Sequence, residues 1–133
     1  MRPRHLGTAA GVLLLPVLLA ACDSTARQDG AAHVAGRFAA AVDAGDGATA
    51  CGLLTERARE SVTGATDATC AAAVLNVHEQ HGSARGVSVW GDAAEVRVGT
   101  DVIFLLRVNK RWLVSAAGCT RQPSAPYKCD VDG

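Results

Sequence analysis

This chain is predicted to have an α+β fold, with three short helices packed on one face of a curved, four-stranded antiparallel sheet. Apolar residues recur at helical spacing up to about residue 82, and they alternate with polar residues from Gly86 onward. Helices followed by a run of strands are typical of α+β domains. A basic and then apolar N-terminal segment predicts that a signal peptide precedes the domain.

The N-terminal segment has the composition of a secretory signal. Arg2 and Arg4 precede an uncharged run over residues 6–21, which is shorter than the roughly 20 apolar residues of a good membrane span. Residues 19–22, LAAC, resemble the bacterial lipobox. This resemblance implies cleavage just before Cys22 and attachment of a diacylglycerol to its sulfur. The alternative interpretation is a transmembrane helix with an incidental cysteine.

Cleavage before Cys22 defines both the mature protein and its location. The 133 residues become 112, with 11 basic residues against 13 acidic ones after Arg2 and Arg4 are removed, a net charge of −2. This balance argues against nucleic-acid binding, and the length suits one domain with a modest core. We expect a lipid-anchored protein on the extracytoplasmic face of the cell membrane. Its predicted parts are a signal peptide (1–21), a polar tether (22–30), the α+β domain (31–118) and a C-terminal tail (119–133).

Three helices are predicted within residues 31–82, with Gly45 and Gly64 separating them. Thr66 or Asp67 is the predicted start of the third helix, and Gly82 its end. Each helix has one apolar face. The predicted faces are Val34, Phe38, Ala41 and Val42 in the first helix, Cys51, Leu54 and Ala58 in the second, and Cys70, Val74, Val77 and His81 in the third.

Four strands are predicted after Gly86, and turn residues separate them. Alternation of apolar and polar residues indicates the first two strands, and a nearly continuous apolar run indicates the third. A two-residue turn at Asn109 and Lys110 leads into the fourth. The predicted strands cover residues 87–90, 94–98, 102–108 and 111–116, and the tail that follows is expected to have no regular element.

The order of these elements, with the ending RVNKRWLVSAAGC, resembles the cone-shaped fold of the nuclear-transport-factor-two and ketosteroid-isomerase superfamily. The chain is also similar to small Ala- and Arg-rich lipoproteins of high-GC Gram-positive bacteria that carry this domain. The resemblance covers roughly residues 31–129. It implies dimerisation through the sheet and a cone that holds a small apolar ligand.

Four of the five cysteines remain after Cys22 is assigned to the lipid, and an even number outside the cytoplasm indicates disulfides. Four cysteines allow three pairings. The favoured pairing is Cys51 with Cys70 and Cys119 with Cys129. A metal site is the alternative, but no cysteine pair has the C-x₂-C spacing of zinc sites, so no metal is predicted.

No arrangement of residues indicates catalysis or a cofactor. His78 and His81 are spaced to share a metal on a helix, but a position in the last turn of a helix explains them better, because no third ligand lies nearby in the sequence. Asp43 and Asp46 are interpreted as capping or solvent-facing residues, and Arg107 as a charge at an edge or facing the interior. We therefore expect a non-catalytic binding or interaction module whose ligand the sequence does not specify. The alternative is a small cone-fold enzyme or carrier of a small apolar ligand.

The third strand is apolar on both faces, which requires two covers. Val102, Phe104 and Leu106 point one way, whereas Ile103 and Leu105 point the other. The turn after the strand is expected to place Trp112 and Val114 with Ile103 and Leu105, and Leu113 with Leu106. Three short helices cover only one face. The tail could cover the other, or a second copy could do so in a symmetric homodimer, and the sequence slightly favours the homodimer.

Overall fold

The computed structural model of the chain describes residues 16–64, 66–77 and 82–133. The helices precede the strands along the chain, and the predicted α+β class is confirmed. The helices are α1 (Pro16–Asp43), α2 (Gly47–Gly52), α3 (Glu56–Gly64) and α4 (Cys70–Ala73), with a 3₁₀ turn at Val74–Asn76. The strands are β1 (Ala84–Trp90), β2 (Ala93–Val98), β3 (Asp101–Val108), β4 (Arg111–Arg121), β5 (Tyr127–Lys128) and β6 (Val131–Asp132).

The strands form one open antiparallel sheet in which β1, β2, β3 and β4 are neighbours in chain order. The prediction of four strands was wrong, because the C-terminal tail adds β5 and β6 along β4. Lys128 pairs with Thr120, and Val131 pairs with Ala117. Each added strand has only two residues, and these pairings with β4 explain why the tail has regular structure without an apolar run of its own.

The turn between β3 and β4 sets the register of the centre of the sheet. Asn109 and Lys110 have φ values of 50° and 65°, the positive φ values that a two-residue hairpin turn of the primed type requires. Leu105 is consequently paired with Val114, and Leu106 with Leu113. The predicted register is confirmed.

Helix α1 covers one face of the sheet, which we call the inner face. Its buried residues are Ala31, Ala35, Phe38, Ala39 and Ala41, at the spacing of one helical face. They belong to the same core as the inner-face side chains of β2, β3 and β4. All four residues predicted for this face of the first helix, Val34, Phe38, Ala41 and Val42, lie in this core or pack against it, and Ala31, Ala35 and Ala39 join them.

The stretch predicted as a tether, residues 22–30, is part of α1 in the structure. Two contacts hold it there. Arg27 donates a hydrogen bond from Nη1 to the carbonyl oxygen of Gly91 at 3.1 Å. A Cβ added to Gly30 would lie 3.1 Å from Cδ1 of Trp112, so the helix lies directly against the sheet at this point. Asp23 also pairs with Arg27 one turn along the helix.

The second predicted helix is divided into α2 and α3 in the structure. Leu54 forms a parallel bridge with Val114, and the backbone of Thr55 bonds the same residue at the edge of β4. The Thr55 side chain then caps α3 by accepting a hydrogen bond from the N–H of Ala58 at 3.1 Å. Pairing with the sheet therefore interrupts a helix that the sequence pattern predicted to be continuous.

The third predicted helix is also shorter than expected. It begins after Thr69, whose side chain accepts from the N–H of Ala72, rather than at Thr66 or Asp67. Regular structure ends at Asn76. His78 and His81 lie outside the described residues.

Two disulfides cross-link the chain, and they join the pairs that the sequence favoured. Cys51 and Cys70 connect α2 to α4 across 19 positions of sequence. Cys119 and Cys129 connect the end of β4 to the tail across 10 positions. The first disulfide ties two short helices together, and the second holds the tail on the sheet.

The tight packing of α2 against α4 predicts opposite effects for two glycine substitutions in α2. A Cβ at Gly47 would lie only 1.8 Å from the carbonyl oxygen of Ala71, whereas a Cβ at Gly52 meets nothing within 4 Å. We expect Gly47→Ala to lower the free energy of unfolding by about 1–3 kcal/mol or more. Gly52→Ala, the matched control, should leave it unchanged or raise it by up to about 1 kcal/mol. Urea denaturation measures both, and equal stabilities of the two variants would contradict this packing.

Candidate functional site

The outer face of the sheet, opposite α1, is the candidate functional surface. Its side chains alternate with the inner-face residues along each strand, so the register fixes which of them lie side by side. One transverse row runs through Trp90, Ala93, Leu106 and Leu113 on β1 to β4. The C-terminal tail covers a different part of this face, so the outer face has a covered half and an open half.

The covered half is a small apolar cluster under the tail. Val102, Ala116 and Cys119 are buried there, and Phe104, Tyr127 and Cys129 pack against them. The rings of Phe104 and Tyr127 meet edge to face with centroids 5.1 Å apart. The tail therefore provides one of the two covers proposed from the sequence.

Arg121 holds Tyr127 in place. Its Nη2 donates to the Tyr127 hydroxyl oxygen at 3.1 Å, and its guanidinium carbon lies 5.3 Å from the centre of the ring. Val131, the other large apolar residue of the tail, is fully buried and joins the inner core instead. Tyr127 and Val131 thus contribute to opposite faces of the sheet.

The open half consists of an exposed apolar stripe, defined here as Trp90, Leu106, Val108 and Leu113. The exposed fractions of Trp90, Leu106 and Val108 are 58%, 41% and 44%, and Leu113 is half-buried. A contiguous apolar patch of this kind marks an interaction surface more often than scattered apolar residues do. The stripe is the strongest candidate for a functional surface on the described part of the chain.

A groove of about 620 Å³ borders the stripe on the side of α3. Leu106, Val108 and Leu113 form its apolar wall. Its polar wall comes from the start of α3 and the chain end, namely Thr55, Glu56, Arg57, Arg59 and Gly133. Arg59 donates from Nη2 to the carbonyl oxygen of Leu54 at 3.1 Å, which holds that guanidinium beside the groove. The open half thus combines apolar surface with a charged margin.

Apolar side chains fill the space between α1 and the inner face of the sheet. Phe38, Ile103, Leu105 and Val114 are at most 1% exposed and belong to a single core. Thr55 and Ser115 are the buried polar residues among those described, and Thr55 caps α3. This interior is a packed core rather than a pocket.

The ionisable residues considered in the sequence lie away from that core. Asp43 and Asp46 are exposed. The pKa of Asp46 is lowered because hydrogen bonds from Thr49 stabilise its carboxylate as the N-cap of α2. Arg107 is half-buried near the end of β3, and Tyr127, the chain's one tyrosine, lies in the tail. The structure therefore does not bring these groups together at one site.

The described residues contain no group of three or more His, Cys, Asp or Glu side chains arranged to hold a metal ion. His33 is exposed on α1. The backbone of Cys22, the predicted lipidation site, lies within α1. Within the described ranges, no helix combines the length and the apolar character that crossing a membrane requires.

Comparisons with known proteins give no match: no protein-family model, no curated protein and no solved structure is similar to this chain. The candidate surface therefore depends on the geometry of this chain alone.

The role of the tail as a cover can be tested by removing its disulfide. Opening Cys119–Cys129 with a double substitution to Ala should cost about 3 kcal/mol in loop-closure entropy, and opening Cys51–Cys70 should cost a similar amount. Only the Cys119→Ala/Cys129→Ala variant should expose Phe104 and bind more of a hydrophobic dye than the wild type does under native conditions. Dye fluorescence and urea denaturation distinguish the two variants. Equal dye binding by both variants would contradict the cover.

Proposed function

We propose that this protein is a lipoprotein anchored by Cys22 to the extracytoplasmic face of the cell membrane. Its α+β domain is a non-catalytic binding or interaction module. The LAAC sequence at residues 19–22 supports the anchor, and the two disulfides fit an oxidising compartment. The helices and open antiparallel sheet are compatible with the cone-fold superfamily that the sequence resembles.

The exposed apolar stripe is the observation that carries the interaction role. Trp90 is more than half exposed, and it shares a row across the sheet with Leu106 and Leu113. Contact between water and a group of exposed aromatic and apolar side chains is unfavourable. Covering these side chains with a partner therefore lowers the free energy. Binding at this surface needs no catalytic residue.

The filled core favours surface binding over the alternative of a cone-fold enzyme or carrier. A carrier needs an internal cavity lined by apolar groups with a few polar groups directed into it. Here Phe38 and Ile103 occupy the space between helix and sheet with no exposed surface. A homodimer through the sheet stays a prediction. Because the tail occupies the other half of the outer face, a second copy would have to use the stripe.

The lipid anchor can be tested by mass spectrometry of the protein from bacterial membranes. The wild-type mass should correspond to residues 22–133 plus lipid, because cleavage precedes the modified cysteine. Cys22→Ser removes the sulfur that accepts the diacylglycerol, and this variant should stay unprocessed or be released from the membrane. Ala26→Ser, a small polar change just outside the motif, is the matched control and should be processed as wild type. An intact, unmodified chain from Met1 to Gly133 in wild-type membranes would refute the anchor.

A further inference from the structure

Helix α1 runs antiparallel to β1, so the chain leading to Cys22 emerges at one particular end of the sheet. Near its N-terminal end, Arg27 bonds the carbonyl oxygen of Gly91, immediately after β1. Further along, Gly36 lines a groove with Ala84, at the start of the same strand. The helix therefore passes the end of β1 as it leads back toward Cys22.

Two turns lie at this end of the sheet, which we call the hairpin end. Gly91 and Asp92 connect β1 to β2, and Asn109 and Lys110 connect β3 to β4. The N–H of Arg107 donates to the carbonyl oxygen of Asp92 at 2.7 Å, so β3 continues past the first turn. At about 3.3 Å per residue, the second turn extends about 7–10 Å beyond that contact.

Cys22, the proposed lipid attachment point, lies beyond the same end of the sheet by a similar distance. Cys22 precedes Arg27 by five residues, and both lie within α1. A helical rise of 1.5 Å per residue gives an axial distance of about 7–8 Å. Because the connecting segment is helical, the hairpin end keeps a fixed orientation relative to Cys22.

The residues exposed at the hairpin end are of the types that favour a membrane interface. Trp90 is the last residue of β1 and Val108 the last residue of β3, and both belong to the apolar stripe. Tryptophan is enriched where membrane meets water, since its ring is apolar and its N–H is polar. The apolar stripe therefore reaches the end of the sheet that lies nearest to the lipid attachment point.

Positive charge accompanies these apolar residues. The charged residues within residues 91–92 and 107–111 are Asp92, Arg107, Lys110 and Arg111, three basic against one acidic. Lys110 and Arg111 are exposed. This local excess of positive charge contrasts with the net charge of the mature chain as a whole, which has 11 basic and 13 acidic residues.

Acidic groups on α1 do not cancel this charge at the turns. Asp23 pairs with Arg27 at 3.3 Å. Asp29 is exposed on α1 and lines a groove with His33 and Gly36, whereas Lys110 and Arg111 do not line that groove. The basic residues of the second turn are therefore available to anionic groups outside the protein.

We propose that the hairpin end docks on the membrane to which Cys22 is anchored, with Trp90 and Val108 at the interface and Lys110 and Arg111 on anionic phospholipid headgroups. This inference rests on the proposed lipid anchor. The position of the stripe beside the anchor and its basic margin favour a membrane over a second copy of the chain. Docking of this kind fixes the orientation of the domain and leaves the covered half of the sheet directed away from the bilayer.

The test uses the lipidated protein, purified from membranes and reconstituted into vesicles. One set of vesicles contains phosphatidylglycerol and phosphatidylcholine, and the other contains phosphatidylcholine alone. Both include phosphatidylcholine brominated on its acyl chains, which quenches tryptophan that reaches the bilayer. The lipid holds the protein on both sets, so quenching reports docking rather than partitioning. Trp112 is only 8% exposed, so the quenched signal should come from Trp90.

We expect quenching in the phosphatidylglycerol vesicles, less in phosphatidylcholine alone and less in high salt. Trp90→Phe should abolish it. Lys110→Glu/Arg111→Glu should remove most of it, because each basic residue near an anionic surface contributes roughly a fivefold gain in binding. Arg85→Glu/Lys128→Glu makes the same change in charge at exposed positions away from the hairpin end, and this control should be quenched as wild type. Circular dichroism checks that each variant is folded.

Two results would overturn the docking while leaving the anchor intact. One is a lipidated protein, established by its mass, whose quenching equals that of Trp90→Phe. The other is a protein that light scattering shows to be a dimer and whose Trp90 is protected equally from the brominated lipid in both vesicle compositions. That result would assign the stripe to a second copy. A mass without lipid would instead refute the proposed anchor.

Sedimentation of that unlipidated chain with the same vesicles then decides whether the hairpin end docks on the membrane. Pelleting weakened about twenty-five-fold or more by Lys110→Glu/Arg111→Glu supports it, and absence of pelleting rejects it.

Discussion

The close packing of α1 on the inner face of the sheet is the contact on which the rest of the structure depends. Small residues make it possible: Ala31 and Ala35 are fully buried, and Gly30 lies against the ring of Trp112. Phe38 is fully buried in the same core and is among its largest side chains. Because the helix is longer than the strands it covers, the same packing that forms the core also sets the direction in which the chain leaves toward Cys22.

A strand that is apolar on both faces needs two covers, and β3 obtains its second cover only in part. The tail, cross-linked by Cys119–Cys129, places Tyr127 on Phe104 and covers one half of the outer face. The apolar side chain of Leu106 in the other half remains 41% exposed. The incomplete cover leaves an exposed apolar surface on this small domain. In our account, that surface lies at the end of the sheet nearest the anchor.

Local sequence patterns predicted the elements that depend on interactions between residues close in the sequence. The turn at Asn109 and Lys110 fixed the pairing of β3 with β4, and helical spacing identified the buried face around Phe38. The patterns failed where contacts between residues far apart in the sequence determine the structure. The polar stretch at 22–30 is typical of a tether, yet it is helical where Arg27 bonds Gly91. The two-residue strands of the tail exist only through pairing with β4. The stripe could be anticipated in part from the two apolar faces of β3, but the place of Trp90 beside Leu106 depends on the pairing of β1 with β2 and of β2 with β3.

Hydrogen–deuterium exchange of the membrane-reconstituted protein tests most directly whether α1 is a rigid connection between anchor and domain. The N–H groups of residues 27–31 lie in the same helix as those of residues 35–39, and both segments contact the sheet. Protection reports the free energy of local opening. We predict that the first segment exchanges far more slowly than unstructured chain and approaches the protection of the second. Exchange of residues 27–31 at the rate of unstructured chain, with residues 35–39 still protected, would mean a flexible tether and would contradict the fixed orientation.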